Sequence, residues 1–245
     1  SRSVVFKGCV YAVCRHSDAS YHRRDGQMGG REVDHPDSEQ FIIAKHNSNK
    51  LTGFNVSIGV TEEVMGHLET VEPFPLVFED KVYKEVDPKA LWDMIMRSTW
   101  DWAEPGVLFI DTINNKNNLW YVEEIASSNP CGEQPLPPNG ACLLGSFNLV
   151  KYVEDNKFDF DQYIDDIAVV VRAMDNVIDR TIYPLEAQRV EAQQKRRMGL
   201  GVTGLANAGE MLGLPYASEQ FMEWAETVLE KLRNNAYRTS CELAQ

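Results

Sequence analysis

One short segment holds three side chains whose types and spacing are suited to chemistry. Asn129, Cys131 and Glu133 occupy alternate positions between Ser127 and Leu136, so a thiol lies two residues from both an amide and a carboxylate. Proline and glycine interrupt the segment, which favours a tight loop over regular structure. Because alternate residues of an extended chain point the same way, we predict that these three side chains share one side of the loop.

The neighbouring carboxylate restricts the chemistry that Cys131 suits. A negative charge beside a thiol disfavours the thiolate that nucleophilic catalysis needs, and no histidine is close in sequence. A thiol that stays protonated and can lose a hydrogen atom fits this setting better. From these residues alone, a catalytic loop and a plain structural loop are equally good interpretations.

Other reactive residues give weaker signals. Cys142 follows Cys131 by eleven residues in an apolar stretch, which by itself indicates a buried, inert cysteine. The pattern Gly199-x-Gly201-x-x-Gly204 matches a dinucleotide-binding motif, but charged residues precede it where that motif needs a strand. We therefore predict a close-packed helical segment there. The five histidines have no metal-ligand spacing, and His35 before Pro36 is predicted to be a turn residue.

The composition excludes several classes of function. The 245 residues include 24 basic and 37 acidic side chains, and a net charge of −13 argues against a basic face for duplex nucleic acid or anionic lipid. No apolar run approaches the roughly 20 residues of a membrane span, and no secretory signal is visible. Five widely spaced cysteines favour a reducing cytoplasm over a disulfide scaffold. Since the chain starts at Ser1 and ends at Gln245 within a helical pattern, we expect a fragment lacking N- and C-terminal parts.

Periodicity places these residues among alternating strands and helices. We predict a strand at Phe54–Val60, a hairpin or extended loop within 70–87 and a buried strand at 107–110. Helices are predicted over 37–45, 61–68, 88–103, 186–212 and 218–244, and along an apolar stripe from Tyr163 to Ile178. Loops are predicted over 19–30, 46–53, 111–118 and 126–142. The order predicts an α/β layered or barrel architecture.

The cysteine loop also resembles a known family. Asn129-Pro130-Cys131-Gly132-Glu133, followed by Gly140-Ala141-Cys142 and Asn148-Leu149, closely resembles the catalytic finger loop of ribonucleotide reductase large subunits. The eleven-residue step between the cysteines looks like the adenosylcobalamin-dependent class II, since iron-dependent class I chains usually space them further apart. Further landmarks follow in family order: Val33-Asp34-His35-Pro36-Asp37, Phe54-Asn55-Val56-Ser57, Glu104-Pro105-Gly106 and Arg196-Arg197-x-Gly199. Residues 1–30 match less well.

This resemblance implies a fold and a reaction. Residues 1–245 would form part of a ten-stranded α/β barrel, as a partial catalytic domain with its finger loop at about 126–146. The reaction would be radical-based reduction of a ribonucleoside di- or triphosphate to a deoxyribonucleotide. Adenosylcobalamin would be the cofactor, and no protein side chain is expected to bind a metal.

The resemblance also implies roles for the loop residues. Cys131 would carry a thiyl radical, Glu133 would be the general base on the 3′-hydroxyl, and Asn129 would orient Glu133 and the substrate. Cys142 would supply a proton and reducing equivalents and form a disulfide with a cysteine expected upstream of Ser1. A thioredoxin- or glutaredoxin-type reductant would then reset it. The substrate is predicted to contact Ser127, Ser128 and Gly132.

Two further loops resemble the effector and substrate-base loops of the family. They lie at about 22–30 and 46–53, and their candidate residues for dNTP or ATP effectors are Gln27, Lys50 and Gly53. A homodimer is consistent with the resemblance, while nucleic-acid and membrane partners are not expected.

Three alternatives stay open. One is a class I large subunit that depends on the metal radical of a partner subunit. A second is a non-catalytic nucleotide-binding relic, suggested by the divergent start. A third is a thiol redox protein built on Cys131 and Cys142, although Glu133 disfavours the thiolate that disulfide exchange requires.

Overall fold

A computed structural model of the protein describes residues 26–46 and 53–245. Strands and helices alternate along this part of the chain, so the predicted mixed α/β class is confirmed. Contacts divide the chain into two compact units, residues 1–138 and 139–245. The described strands form one three-stranded sheet and four two-stranded sheets rather than a closed barrel.

The first unit is organised around a parallel sheet in the order β1-β2-β5. Its strands are β1 (Gln27–Glu32), β2 (Phe54–Val60) and β5 (Gly106–Phe109). The strand prediction for Phe54–Val60 is confirmed to the residue. The prediction of a loop over 19–30 is wrong from Gln27 onward, because that backbone pairs with β2 from Gln27 opposite Phe54 to Glu32 opposite Gly59.

Three helices cover one face of this sheet. They are α1 (Ser38–Ile42), α2 (Glu62–Thr70) and α3 (Pro88–Trp102). Thr61 caps α2 as predicted, since its side chain accepts a hydrogen bond from the Val64 amide, and Asp87 caps α3 in the same way. The buried core between helices and sheet consists of Val33, Phe41, Ile42, Val56, Ile58, Val60, Val64, Phe74, Leu76, Leu91 and Ile95. Helix α1 is shorter than the predicted 37–45.

The predicted hairpin within 70–87 is confirmed. Strands β3 (Phe74–Phe78) and β4 (Lys81–Val86) pair antiparallel, and the residues of β4 are largely exposed. His35 lies in the turn before α1, where its Nδ1 accepts a hydrogen bond from the Asp37 amide at 2.9 Å. It is therefore a turn residue, as predicted.

The segment after β5 differs from its prediction. Strand β5 is only partly buried, with Phe109 46% exposed, and it ends one residue before the predicted end at 110. Helix α4 (Ile110–Asn115) follows where a turn was predicted over 111–118. The Asn114 side chain stabilises this segment. It donates to the carbonyls of Ile110 and Ile125 and accepts from the Ile125 amide, so it ties the helix to the following segment.

The second unit pairs one parallel strand couple with long helices. Strand β8 (Leu143–Asn148) lies beside β11 (Met198–Thr203), and a 3-10 helix (Leu149–Tyr152) and the strands β9 (Val153–Glu154) and β10 (Lys157–Phe158) follow β8. The helices are α5 (Phe160–Arg180), α6 (Glu186–Lys195), α7 (Leu205–Met211) and α8 (Glu219–Leu243). The core contains Phe147, Leu149, Tyr163, Ile167, Val171, Ala208, Val228 and Leu232. The apolar stripe predicted from Tyr163 to Ile178 lies on α5, where most of its residues are buried, while Val177 is 48% exposed.

The glycine pattern at 199–204 is a strand rather than the predicted helix. Gly199 and Gly201 lie within β11, and Gly204 precedes α7 with a φ of 70°. A Cβ on Gly199 would lie 2.5 Å from Leu144 Cδ2, so a side chain there would collide with the neighbouring strand. The glycines thus permit close packing, as predicted. Because Gly199 and Gly201 lie inside the strand, they do not form the turn after a strand that binds a dinucleotide.

The contact between Gly209 and Phe221 yields a stability prediction. A Cβ on Gly209 of α7 would lie 2.5 Å from Cε2 of the buried Phe221 ring. We expect Gly209→Ala to lower the free energy of unfolding by about 1–3 kcal/mol through overpacking, despite the better helix propensity of alanine.

Gly66 on α2 supplies the matched control, because no atom lies within 4 Å of its Cβ position. Gly66→Ala should raise the free energy of unfolding by about 0.5–1 kcal/mol. Urea unfolding followed by circular dichroism measures both. A Gly209→Ala variant as stable as Gly66→Ala would contradict the packing described here.

Candidate active site

The loop around Cys131 is a short hairpin. Strands β6 (Ser127–Ser128) and β7 (Pro135–Leu136) pair antiparallel, with Ser127 opposite Leu136 and Ser128 opposite Pro135. The Ala126 amide donates to the Leu136 carbonyl at 3.1 Å and extends this pairing by one residue. The hairpin therefore presents residues 129–134 as a closed loop.

Asn129 holds the two sides of the loop together. Its Nδ2 donates to Glu133 Oε1, and its Oδ1 accepts from the Gln134 amide at 2.9 Å. Its backbone amide also donates to the Gln134 carbonyl at 3.3 Å. The structure thus brings together Asn129 and Glu133, two of the three residues predicted to share one side of the loop.

Cys131 lies at the exposed tip of this loop. The Gly132 amide donates to the Asn129 carbonyl at 3.0 Å, which closes a tight turn around the cysteine. Gly132 has a φ of 82°, a left-handed conformation that glycine adopts without strain. The Cys131 side chain is exposed, so its thiol is accessible to another molecule.

The two predicted substrate serines differ in exposure. Ser128 is buried and its hydroxyl donates to the Asn129 carbonyl at 3.1 Å, so it stabilises the backbone of the loop. Ser127 is partly buried, and a Cβ on Gly30 would lie 3.0 Å from its Oγ. A residue larger than glycine at position 30 would therefore press on the hairpin.

Asn55 of the parallel sheet binds Pro130, the residue before the cysteine, and Gly26 lies close to the same residue. Asn55 Nδ2 donates to the Pro130 carbonyl at 2.7 Å, and a Cβ on Gly26 would lie 3.4 Å from Pro130 Cγ. Sequence reasoning did not find Asn55 as a site residue. Its signal is a polar, exposed residue in a strand whose other residues are buried.

Cys142 belongs to the second unit. It is partly buried next to β8, with its Sγ 3.9 Å from the Leu143 carbonyl oxygen and 3.5 Å from the Cβ position of Gly199. The sequence prediction of a fully buried thiol at this position is therefore only partly met. Cys9 and Cys14 lie outside the described residues.

The predicted effector residues are partly described. The Gln27 amide donates to the Gly53 carbonyl at 3.4 Å, so the ends of the two predicted loops meet at the start of β1 and β2. Lys50 lies outside the described residues, as do residues 22–25 and 47–52 of the predicted loops.

A cleft of about 710 Å³ opens beside the hairpin, at the carboxyl ends of β1, β2 and β5. Ligands commonly bind at this edge of parallel sheets. Its lining includes Arg31, Glu32, Asp34, His35 and Ser127. Burial, with repulsion from Asp34, raises the pKa of Glu32, and burial also raises the pKa of Asp34. Burial lowers the pKa of His35.

The described residues provide neither a metal-binding cluster nor a membrane-spanning helix. Within residues 26–46 and 53–245, no cluster of three or more histidine, cysteine, aspartate or glutamate side chains could hold a metal ion. Each helix in the same part of the chain is too short or too polar to cross a membrane.

Comparison with known proteins identifies relatives along nearly the whole chain. The family described as "Ribonucleotide reductase, barrel domain" matches residues 6–245. A vitamin B12-dependent ribonucleoside-diphosphate reductase of Thermoplasma acidophilum is 38% identical over 91% of this chain and 30% of its own length. One of the same name from Mycobacterium tuberculosis is 35% identical over 91% of this chain and 33% of its own length.

A more distant relative carries a different name. A ribonucleoside-diphosphate reductase large subunit of Variola virus is 31% identical over 70% of this chain and 23% of its own length. The chain thus spans a third or less of the length of each of these relatives.

The acidic edge of the cleft predicts a dependence of stability on pH. Because its pKa is raised on folding, Glu32 binds its proton more tightly in the folded chain than in the unfolded chain. The contribution of Glu32 to stability should therefore fall as the pH rises above the ordinary carboxyl range of about 4. Glu32→Gln removes this effect, so its melting temperature should exceed that of the wild type increasingly towards neutral pH.

Melting temperatures between acidic and neutral pH measure the effect. Glu226 is exposed on α8, and Glu226→Gln serves as the control whose melting curve stays parallel to the wild type. If the Glu32→Gln curve were also parallel, the repulsion at the cleft would not affect folding.

Proposed function

The chain belongs to the ribonucleotide reductase barrel-domain family, and on that premise we propose that it carries the catalytic loop of an enzyme that reduces ribonucleotides to deoxyribonucleotides. The observation that carries the proposal is the hairpin loop in which Asn129 binds Glu133 while Cys131 stands exposed at the tip. An accessible thiol beside an oriented carboxylate suits paired hydrogen-atom and proton transfer. We propose that this loop is the finger of a ten-stranded barrel, of which this chain is a part.

The thiol of Cys131 begins the reaction. It gives up its hydrogen atom, and the resulting thiyl radical takes the hydrogen atom from the ribose 3′-carbon, which restores the S–H bond. Glu133 accepts the proton of the 3′-hydroxyl, which favours departure of the 2′-hydroxyl as water. Asn129 keeps the Glu133 carboxylate in place through its Nδ2 hydrogen bond.

The two electrons of the reduction come from a pair of thiols. Cys142 supplies a proton to the leaving hydroxyl and, with a second cysteine, becomes a disulfide as the 2′-carbon gains hydrogen. Glu133 then returns its proton to the 3′-oxygen, and the Cys131 S–H returns its hydrogen atom to the 3′-carbon, which regenerates the thiyl radical. A thioredoxin- or glutaredoxin-type reductant then returns the disulfide to two thiols. The partial burial of Cys142 is compatible with this role, since the thiol is neither sealed in the core nor fully exposed.

The described residues fit a cobalamin-dependent enzyme in one respect. The exposed Cys131 thiol is accessible to a separate radical-generating group, and it is the residue that would contact that group. Adenosylcobalamin, when bound, supplies the radical that takes the hydrogen atom of Cys131.

The substrate is proposed to be a ribonucleoside diphosphate, because the relatives from Thermoplasma acidophilum and Mycobacterium tuberculosis carry that substrate in their names. Ser127 and Gly132 are the loop residues with accessible surface for it, whereas the Ser128 hydroxyl is engaged by the loop. We further propose that dNTP or ATP effectors act through the loops at 22–30 and 46–53, in a cytoplasmic enzyme that forms a homodimer.

A class I enzyme is the second candidate, favoured by the likeness to the Variola large subunit. The eleven-residue spacing of Cys131 and Cys142 favours the cobalamin-dependent reading over it. The two differ in what must be added to obtain activity.

One prediction of the proposed function concerns the cofactor and Cys131. The full-length protein should form deoxynucleotide from a ribonucleoside diphosphate with dithiothreitol and adenosylcobalamin, and none when the cofactor is omitted. Cys131→Ser should reduce product to background, while Cys241→Ser, at another exposed cysteine, should leave it unchanged. Chromatography of the products measures both. Activity in Cys131→Ser would refute the catalytic assignment, and activity that requires a metal-containing partner subunit would establish class I.

Another prediction of the proposed function concerns Glu133. Gln is nearly the same size and can still accept the Asn129 hydrogen bond, but it is not a base. Glu133→Gln should therefore lower kcat by about 10²–10⁴-fold with the melting temperature unchanged. The control is Glu226→Gln, which removes the same charge at an exposed position on α8. A Glu133→Gln variant with wild-type kcat would exclude Glu133 as the general base.

A further inference from the structure

The residue before the catalytic cysteine is held by the parallel sheet. Asn55 Nδ2 donates a 2.7 Å hydrogen bond to the Pro130 carbonyl, the peptide group that leads directly into Cys131. The Cβ position of Gly26, the residue before β1, lies 3.4 Å from Pro130 Cγ. Pro130 thus lies close to the starts of the neighbouring strands β1 and β2.

The amide of Asn55 is presented by a rigid element. Its backbone pairs with Met28 of β1, and its neighbours Phe54 and Val56 are 5% and 2% exposed in the core. The Asn55 side chain itself is exposed and contributes nothing to that core. A polar residue at this position is therefore explained by its contact with Pro130 rather than by the packing of β2.

The hydrogen bonds of Asn129 and Asn55 have different effects. Asn129 joins atoms within the loop and so fixes its shape, whereas Asn55 joins the loop to the sheet and so fixes where the tip lies. Proline at 130 has no amide hydrogen, so the carbonyl is the one backbone hydrogen-bonding group of this residue. A donor at position 55 is what this carbonyl requires.

We propose that Asn55 is a positioning residue that sets the location of the Cys131 thiol by donating to the Pro130 carbonyl. The inference rests on the proposed function, since it assigns Asn55 to the reaction of that loop. Hydrogen-atom transfer depends steeply on the separation of the reacting atoms, and a displacement of about 1 Å can lower the rate about 100-fold. Loss of this one hydrogen bond should therefore affect turnover more than stability.

Two substitutions test the donor separately from the shape. Asn55→Ala removes the side chain, and Asn55→Asp keeps its size but replaces the donor with an acceptor that faces the Pro130 carbonyl. Asn234→Asp is the matched control, because it adds the same charge at an exposed asparagine on α8. All are made in the full-length protein, alongside Cys131→Ser.

Two readouts are measured. The first is kcat and KM for ribonucleotide reduction, where both Asn55 variants should lose about 10- to 100-fold in kcat with KM changed less than about twofold. The second is the rate of alkylation of Cys131 by iodoacetamide relative to the exposed Cys241, read by mass spectrometry. That ratio should change in both Asn55 variants and stay at the wild-type value in Asn234→Asp.

The outcomes separate this inference from the proposed function. Activity in Cys131→Ser would refute the proposed function, while the alkylation ratio would still report whether Asn55 positions the thiol. Inactive Cys131→Ser together with wild-type kcat and alkylation ratio in Asn55→Asp would overturn the positioning role alone. Failure of both Asn55 variants to fold, seen as loss of the circular dichroism signal, would also overturn it, because Asn55 would then support the sheet.

Discussion

The shape of the loop that presents Cys131 depends on the side-chain hydrogen bonds of Asn129. The Asn129 side chain donates a hydrogen bond to the Glu133 carboxylate and accepts one from the Gln134 amide, so it joins the first half of the loop to the second. An aspartate at this position could accept from Gln134 but would repel Glu133. The amide is therefore the chemical group that lets a carboxylate lie in the same tight turn as a thiol without an added positive charge.

The parallel sheet supports this loop because its two faces differ. Val56 and Ile58 face the helices and form the core, while Asn55 and Ser57 alternate with them. On the side of Ser57 the residues are small: Gly30 pairs with Ser57, and a Cβ on Gly30 would lie 3.0 Å from Ser127 Oγ of the hairpin. One face thus stabilises the first unit, and the other leaves space in which a hairpin can lie close to the backbone.

Local signals in the sequence predicted the elements whose interactions are local. The strand Phe54–Val60, the Thr61 cap and the helix from Pro88 were predicted from periodicity and capping. The proximity of Asn129 and Glu133 was predicted from their alternate positions within one loop. The strands β1 and β11 were missed, because both contain glycines and are fixed by parallel partners distant in sequence. Asn55 was missed for the same reason: its partner Pro130 is 75 positions away.

The strand β4 has a consequence for how copies of this protein behave at high concentration. Within the described residues it pairs only with β3, so its outer edge offers unpaired backbone groups, with Val82 and Tyr83 each 54% exposed. Such an edge is a template for intermolecular strand pairing and aggregation. Lys81, Lys84 and Glu85 place charge along it, and Lys84 is ion-paired to Glu39. Charged side chains along an exposed edge disfavour such pairing, so these residues oppose aggregation through β4.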